Sequence, residues 1–210
     1  MFDLDGTITR QDTFLPYLAA GLRRHPARAL RLWRVLLPLL RFALEGDPGR
    51  VKGSLISALL GGLGRTAIGA LTERFVAGLA PPMLLPPALA AIARHRAAGD
   101  RLVLLSASTD LYVPALGARL GFDEVICTRV AWDGDRLLGT LAGPNLRGLE
   151  KRRAIMELKA RHPGATIAAY ADSGCDFEHL RCVERPTLVN GSVAARREAA
   201  RLQIPGADWR

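Results

Sequence analysis

Met1-Phe2-Asp3-Leu4-Asp5-Gly6-Thr7-Ile8 opens the chain with a short apolar start, two carboxylates two residues apart, and a Gly-Thr turn behind them. Alternate side chains of a strand share a face. As the strand opens into the turn at Gly6, both carboxylates can therefore project into one pocket at its carboxyl end. One can attack phosphorus while the other carries the proton, so the pattern suits phosphoryl transfer. A surface Asp-Gly turn with a second Asp nearby is the plain alternative for these residues alone, and the rest of the chain decides between the two.

Three later segments bear on that choice. Arg101-Leu102-Val103-Leu104-Leu105-Ser106-Ala107-Ser108 is an apolar run ending in small hydroxyl residues, the pattern of a buried parallel strand. Ser106 can present its hydroxyl to a phosphoryl oxygen, and can equally cap a helix beginning at Thr109 and Asp110. Lys151 opens an amphipathic stretch continuing to about Arg161. The 29 basic residues comprise three lysines and 26 arginines. A lysine here therefore favours the compact, point-like cation that phosphate neutralisation needs over an ordinary solvated helix residue. Ile167-Ala168-Ala169-Tyr170-Ala171-Asp172-Ser173-Gly174-Cys175-Asp176 reads as a strand ending in an Asp-x-x-x-Asp pair.

Taken in order, these four segments resemble the motifs of the haloacid dehalogenase (HAD) superfamily. The resemblance implies a Mg²⁺-dependent phosphomonoester hydrolase. Asp3 would be the nucleophile that forms an aspartyl-phosphate, being ionised at neutral pH without a base to activate it. Asp5 would protonate the leaving alkoxide and later deprotonate water. Superfamily dehalogenases lack an Asp at that place, so its presence argues for phosphate esters. Ser106 and Lys151 would hold the phosphoryl group. Mg²⁺ would be bound by the Asp3 carboxylate, the Asp5 backbone carbonyl and Asp172, with waters completing an octahedron and Asp176 orienting the site from behind. Gly6, Thr7, Asp12 and Ala107 are the remaining candidates for substrate contact.

The expected fold class is α/β: a doubly wound, mostly parallel sheet with an inserted helical cap. Helical patterns run at about Leu84 to Ala98, Asp110 to Leu120, Leu149 to Arg161 and Ser192 to Leu202. Asp123 to Leu141, around Asp133-Gly134-Asp135, reads as a small hairpin with a structural role. The expected division is a core of residues 1–11 and 83–210 and a cap of residues 12–82, since 210 residues make one sizeable core plus a smaller unit. Cys127, Cys175 and Cys182 lack metal-ligand spacing and point to a reducing compartment, with Cys175 packing beside the site. Two residues before Asp3 are few for a central strand, so an upstream start or a truncation is expected. Acidic residues stand where a signal peptide would carry its basic region.

Substrate choice should come from the cap. Asp12 falls where phosphoserine phosphatases place a Glu that contacts the substrate amino group, but the cap Arg of those enzymes has no counterpart near Ile56, which disfavours phosphoserine itself. From Thr13 to Leu44 no acidic residue occurs, while Arg23, Arg24, Arg28, Arg31, Arg34 and Arg41 punctuate a Leu-rich run containing Trp33 and Phe42. On one helix, Arg24, Arg28, Arg31, Arg34 and Arg41 would form a stripe opposite an apolar face, with a kink at Pro38. The arginines interrupt the run too often for a membrane span. Two readings stay open: an interfacial helix on an anionic membrane, or a cap helix packed inward with its arginines in water. Gln11-Asp12-Thr13-Phe14, Tyr17-Leu18, Leu22-Arg23-Arg24-His25-Pro26 and Leu36-Leu37-Pro38-Leu39-Leu40 resemble the bacterial HAD-type phosphatidylglycerophosphate phosphatases. That similarity implies a lipid phosphate such as phosphatidylglycerophosphate, with a small soluble phosphorylated metabolite as the alternative; a non-catalytic protein binding an anionic membrane or nucleic acid is a further alternative, and intact Asp3, Asp5, Lys151 and Asp172 argue against it. The net charge of +9 suits an acidic surface or substrate. No nucleic acid partner is expected, because no stacking-aromatic strand accompanies the charge. The expected location is the cytoplasm, with or without contact to the inner face of a membrane.

Overall fold

A computed structural model describes residues 1–45, 48–79 and 83–210, without the side chains of 41–45. Its centre is a parallel sheet. Strand β1 (Val103–Thr109) pairs with β2 (Glu124–Thr128), and β5 (Ala168–Ala171) pairs with β6 (Arg185–Val189), which in turn pairs with β7 (Gly206–Ala207). Residues 1–3 join the two groups: Phe2 forms parallel bridges to Leu104 and Tyr170, and Asp3 N donates to Tyr170 O at 2.9 Å. The first motif thus leaves the middle of the sheet, with the ends of β1 and β5 beside it.

Alternation along β1 explains the two layers of helices. Leu102 and Leu104 belong to one core cluster, together with Ile92 of α5 (Pro86–Ala97) and Leu116 of α6 (Val113–Leu120). Val103 and Leu105 belong to the other, with Ile155 and Leu158 of α7 (Leu149–Arg161) and Ala195 and Ala199 of α8 (Val193–Arg201). A strand whose two faces are both apolar must be covered on both sides, which gives the doubly wound arrangement. The expected helices all form. Only part of the expected hairpin does: β3 (Val130–Asp133) and β4 (Arg136–Leu141) pair antiparallel, while the segment from Glu124 belongs to the parallel sheet.

Between the first motif and α5 lie α1 (Phe14–Arg24), a 3₁₀ stretch (Pro26–Val35), α2 (Leu36–Glu45), α3 (Pro48–Leu59) and α4 (Arg65–Gly78). The expected boundary at residue 82 lies outside the described residues. The hairpin supports this helical segment, because Gly139 of β4 comes so close to Ser57 of α3 that a side chain there would meet its backbone. The single arginine-striped helix is not what forms. Its residues are divided among α1, the 3₁₀ stretch and α2, and Val35 is the one buried residue of the 3₁₀ stretch, so nothing there selects an α-helical period. Pro38 does not kink a helix. It occupies the first turn of α2, where its missing N–H leaves no bond unmade. Arg28 turns inward and donates to Gly61 O at 2.7 Å, and the side chains of Arg41 and Phe42 lie outside the described residues. Leu30, Trp33, Leu36, Leu37 and Leu40 stand in solvent, Leu30 at 80% and Trp33 at 66% exposure. No helix among the described residues is long and apolar enough to cross a membrane.

Candidate active site

The turn after the first strand is wound around one carbonyl: Thr7 N, Ile8 N and Thr9 N all point at Leu4 O, at 3.3, 2.9 and 3.0 Å. Gly6 has φ +79, and any Cβ there would run into the Asp172 carboxylate. Glycine is therefore required twice, for the left-handed backbone and for the close approach. Buried Asn190 donates from Nδ2 to Gly6 O at 2.8 Å and accepts from Trp209 N through Oδ1 at 2.8 Å, fixing the turn from behind.

Helix α7 delivers the cation. Lys151, Ala154, Ile155 and Leu158 are its buried residues, a spacing of three, four and seven that puts the lysine on the core-facing stripe. Its Nζ donates to Asp3 Oδ1 at 2.7 Å and to Asp176 Oδ1 at 2.8 Å. All three side chains are almost wholly out of water. Ligand-type oxygens of Asp3, Asp172 and Asp176 lie within 4.8 Å of one another. Burial and the neighbouring Asp176 and Asp5 push the Asp3 carboxyl up to about 7 against the pull of Lys151. Burial and Asp176 push Asp172 up to about 6. Burial also raises Asp176, but Lys151 outweighs it and holds that carboxyl below its ordinary range. One lysine cannot offset three clustered acids, and the uncompensated negative charge rests on Asp3 and Asp172. This oxygen-only, electron-rich set fits a hard divalent cation such as Mg²⁺. His179, pushed down to about 4 by burial and by Lys151, stays neutral behind Asp176.

Asp5 is held by a different set of groups. Its Oδ1 accepts from Thr13 N at 2.7 Å and Thr13 Oγ1 at 2.6 Å, and its Oδ2 accepts from Ser108 Oγ at 2.6 Å. Burial raises its pKa and these donors oppose the rise. The two carboxylates of the first motif thus have separate partners: lysine for Asp3, hydroxyls for Asp5.

Ser106 is fully buried, and its Oγ accepts from Ser108 N at 3.0 Å. It caps no helix. The strand runs on to Thr109, and α6 begins only at Val113, after Tyr112. The register of β1 against β2 breaks between Ser106 and Thr109, an irregularity of the kind that re-aims groups at strand ends. Here it frees the Ala107 carbonyl, which accepts from Lys52 Nζ at 2.6 Å and Thr128 Oγ1 at 2.7 Å. Thr7 is buried, and its hydroxyl has no partner among the described residues. Asp12 stands exposed and accepts from Leu15 N at 3.0 Å, which ties it to the first turn of α1. Cys175 is exposed rather than packed, with Arg147 donating to its sulfur at 3.0 Å.

Sequence reading missed Thr13, Ser108, Asn190 and, above all, Lys52. Lys52 lies on α3 between buried Gly49 and Ile56, again at inward spacing, and also donates to Asn145 Oδ1 at 2.6 Å. Burial pushes it down to about 8, while Asp5 and Asp12 work against that fall. Ile56, where a cap cation was sought, points into the core; the cation stands one turn earlier. A lysine in the inward register of an arginine-rich chain was the available signal, and the same one fits Lys151.

Comparison with known proteins agrees with this architecture. Residues 1–181 match the family model described as haloacid dehalogenase-like hydrolase. Protein CicA of Caulobacter vibrioides is 33% identical over 180 residues, covering 85% of this chain and 80% of CicA. A Mycobacterium tuberculosis protein named "probable phosphatase" is 27% identical over 205 residues, covering 95% of this chain and 71% of that protein. Among solved structures, a probable phosphoserine phosphatase from Vibrio cholerae superimposes with a TM-score of 0.72 at 14% identity, over 100% of this chain and 60% of that one. The fold, the assembled acids and lysine, and a family match over most of the chain place this protein among the haloacid dehalogenase-like hydrolases.

Proposed function

We propose that the protein is a Mg²⁺-dependent phosphomonoester hydrolase working through an aspartyl-phosphate on Asp3. The observation that carries this reading is the sharing of Lys151 between Asp3 and Asp176, with Asp172 in reach. A dianionic phosphate could approach such a set of acids only beside a fixed cation. Asp3 and Asp172 would hold Mg²⁺ together with the Asp5 carbonyl, and the ion when bound supplies the positive charge that draws in the phosphoryl oxygens.

The Asp3 carboxylate oxygen attacks phosphorus, and the ester P–O bond breaks. The leaving alkoxide takes its proton from Asp5, whose raised pKa and three hydrogen-bond donors keep the acid in place. Water then attacks the phosphoryl group and returns a proton to Asp5, releasing phosphate and the free Asp3 carboxylate. Lys151 and Ser106 steady the phosphoryl oxygens. Gly6, Thr7 and the Ala107 backbone shape the pocket floor, and Asp176 positions Lys151.

For the substrate, an anionic lipid phosphate is the reading favoured over a small soluble metabolite. The exposed Leu30, Trp33, Leu36, Leu37 and Leu40, set among exposed Arg24, Arg31 and Arg34, form an apolar and basic surface of the kind that meets anionic headgroups. The test of the chemistry is Asp3→Asn. Hydrolysis of aryl and alkyl phosphates should fall at least about a thousandfold with an unchanged circular dichroism spectrum. Acid-quenched wild type should carry labelled phosphate that the variant lacks. Substantial Mg²⁺-dependent turnover by the variant would refute the covalent role.

A further inference from the structure

A cleft of about 1410 Å³ runs between the helical segment and the ends of the strands. Arg34, Leu37 and Ser54 line one wall, and Leu141, Arg147 and Phe177 the other. None of the catalytic candidates lines it, but its inner end is formed by Asn145, which holds Lys52, and by Cys175, which lies in the loop between Asp172 and Asp176. Asn145 thus links it to the site through Lys52, which donates to the Ala107 carbonyl beside Ser106. Its volume exceeds the roughly 300–1,000 Å³ usual for a small-molecule site, far more space than a phosphorylated amino acid or triose requires. Among the described residues its walls carry Arg34 and Arg147, and the acidic Glu178 faces Arg152 at 3.8 Å. Its outer end is continuous with the exposed apolar run, because Arg34 and Leu37 belong to both.

We propose that this cleft seats the hydrocarbon chain of an anionic lipid monophosphate, entering past Leu37, with the phosphate reaching beyond the inner end, past Asn145 and Cys175, to Asp3. The apolar stretch accepts the chain, Arg147, which stands at the inner end on the Cys175 sulfur, meets the negative headgroup, and the continuity with Leu36, Leu37 and Leu40 lets a chain pass from a bilayer without crossing water. The inference deepens the phosphatase reading above and rests on it for the place of the phosphate.

The experiment is a homologous series of n-alkyl phosphates from two to twelve carbons, kept below their micellar concentrations. It is read in two ways: as kcat/KM with wild type, and as binding to Asp3→Asn protein by the shift in melting temperature. A methylene moved fully out of water is worth about a fourfold gain, and a half-open cleft should give at least about twofold per methylene until the chain reaches Leu37. Ser54→Trp should flatten that slope and leave the two-carbon ester unaffected, since the Ser54 hydroxyl bonds only the backbone of its own helix, at Arg50 O. Leu37→Asp, at an exposed position that tolerates charge, should flatten it as well and guards against misfolding of the tryptophan variant. Affinity independent of chain length in wild type, or a slope that survives both substitutions, overturns the proposal and points to a small polar substrate. A binding slope without turnover of any ester would sink the phosphatase reading and leave the cleft assignment standing.

Discussion

Around the acidic cluster, Asp3, Lys151 and Asp176 sit out of water in fixed pairs. Between Leu30 and Leu40 the opposite holds, with large apolar side chains standing in water beside arginines. Both arrangements are costly in isolation, for different reasons. Buried charge is tolerated only when every partner is exactly placed by the backbone, so a few motif residues determine that geometry. Exposed hydrocarbon is tolerated when another surface covers it, and among the described residues none covers Leu30, Trp33, Leu36, Leu37 or Leu40. On the function proposed above, the strand ends carry the chemistry and the helical segment faces what the chemistry acts on.

Removing the shared cation strikes the first region hardest. Lys151→Met leaves Asp3 and Asp176 buried without their cation, so unfolding in urea at pH 8 should show a loss of about 3–5 kcal/mol, together with loss of phosphatase activity. The stability loss should shrink at pH 5, where the carboxyls can take up protons instead. A variant as stable as wild type at pH 8 would mean that the charges are not paired as described. The matching change in the second region is Arg24, Arg31 and Arg34 all replaced by Gln. Each arginine near an anionic surface contributes about 1 kcal/mol, so vesicle affinity should fall by about 3 kcal/mol while turnover of aryl phosphates stays nearly constant. If wild type fails to sediment with anionic vesicles at low salt, the interfacial reading of this region is wrong.

The smallest effect concerns Mg²⁺ and pH. Asp3 at about 7 and Asp172 at about 6 lie above the ordinary value of 3.8, so between pH 4 and 7 the folded state binds more protons than the unfolded one. Without metal, these two groups therefore make the fold less stable as pH rises through 6 and 7. Mg²⁺ offsets that charge and binds best when both are ionised. Millimolar Mg²⁺ should raise the melting temperature more at pH 8 than at pH 6, and Asp3→Asn should diminish the difference. An equal shift at both pH values would place the metal elsewhere.

Much of the core was readable because its constraints are local. The apolar run at Val103–Leu105 could only be a strand covered on both faces, and α7 spans Leu149–Arg161 as its pattern requires. The four motifs converge because parallel strands bring their carboxyl ends to one edge. What was not readable depended on neighbours distant in sequence. The helix cap stood open for Ser106 beside its phosphoryl contact because nothing local announces that β1 continues to Thr109 beside Thr128. The bond that ties Asp12 to Leu15 N is likewise invisible in a motif. The arginine stripe presumed a single helix, whereas a segment that buries only Val35 has no reason to keep one period.

Thr13 has a consequence for timing. It donates twice to Asp5 and also stands immediately before α1, where the helical segment begins. A swing of α1 that withdrew Thr13 would strip Asp5 of two donors that favour its ionised form, and its affinity for a proton would rise. On the mechanism proposed above, one threonine then ties the readiness of Asp5 to take or release a proton, and so the order of the two proton steps, to the position of a helix.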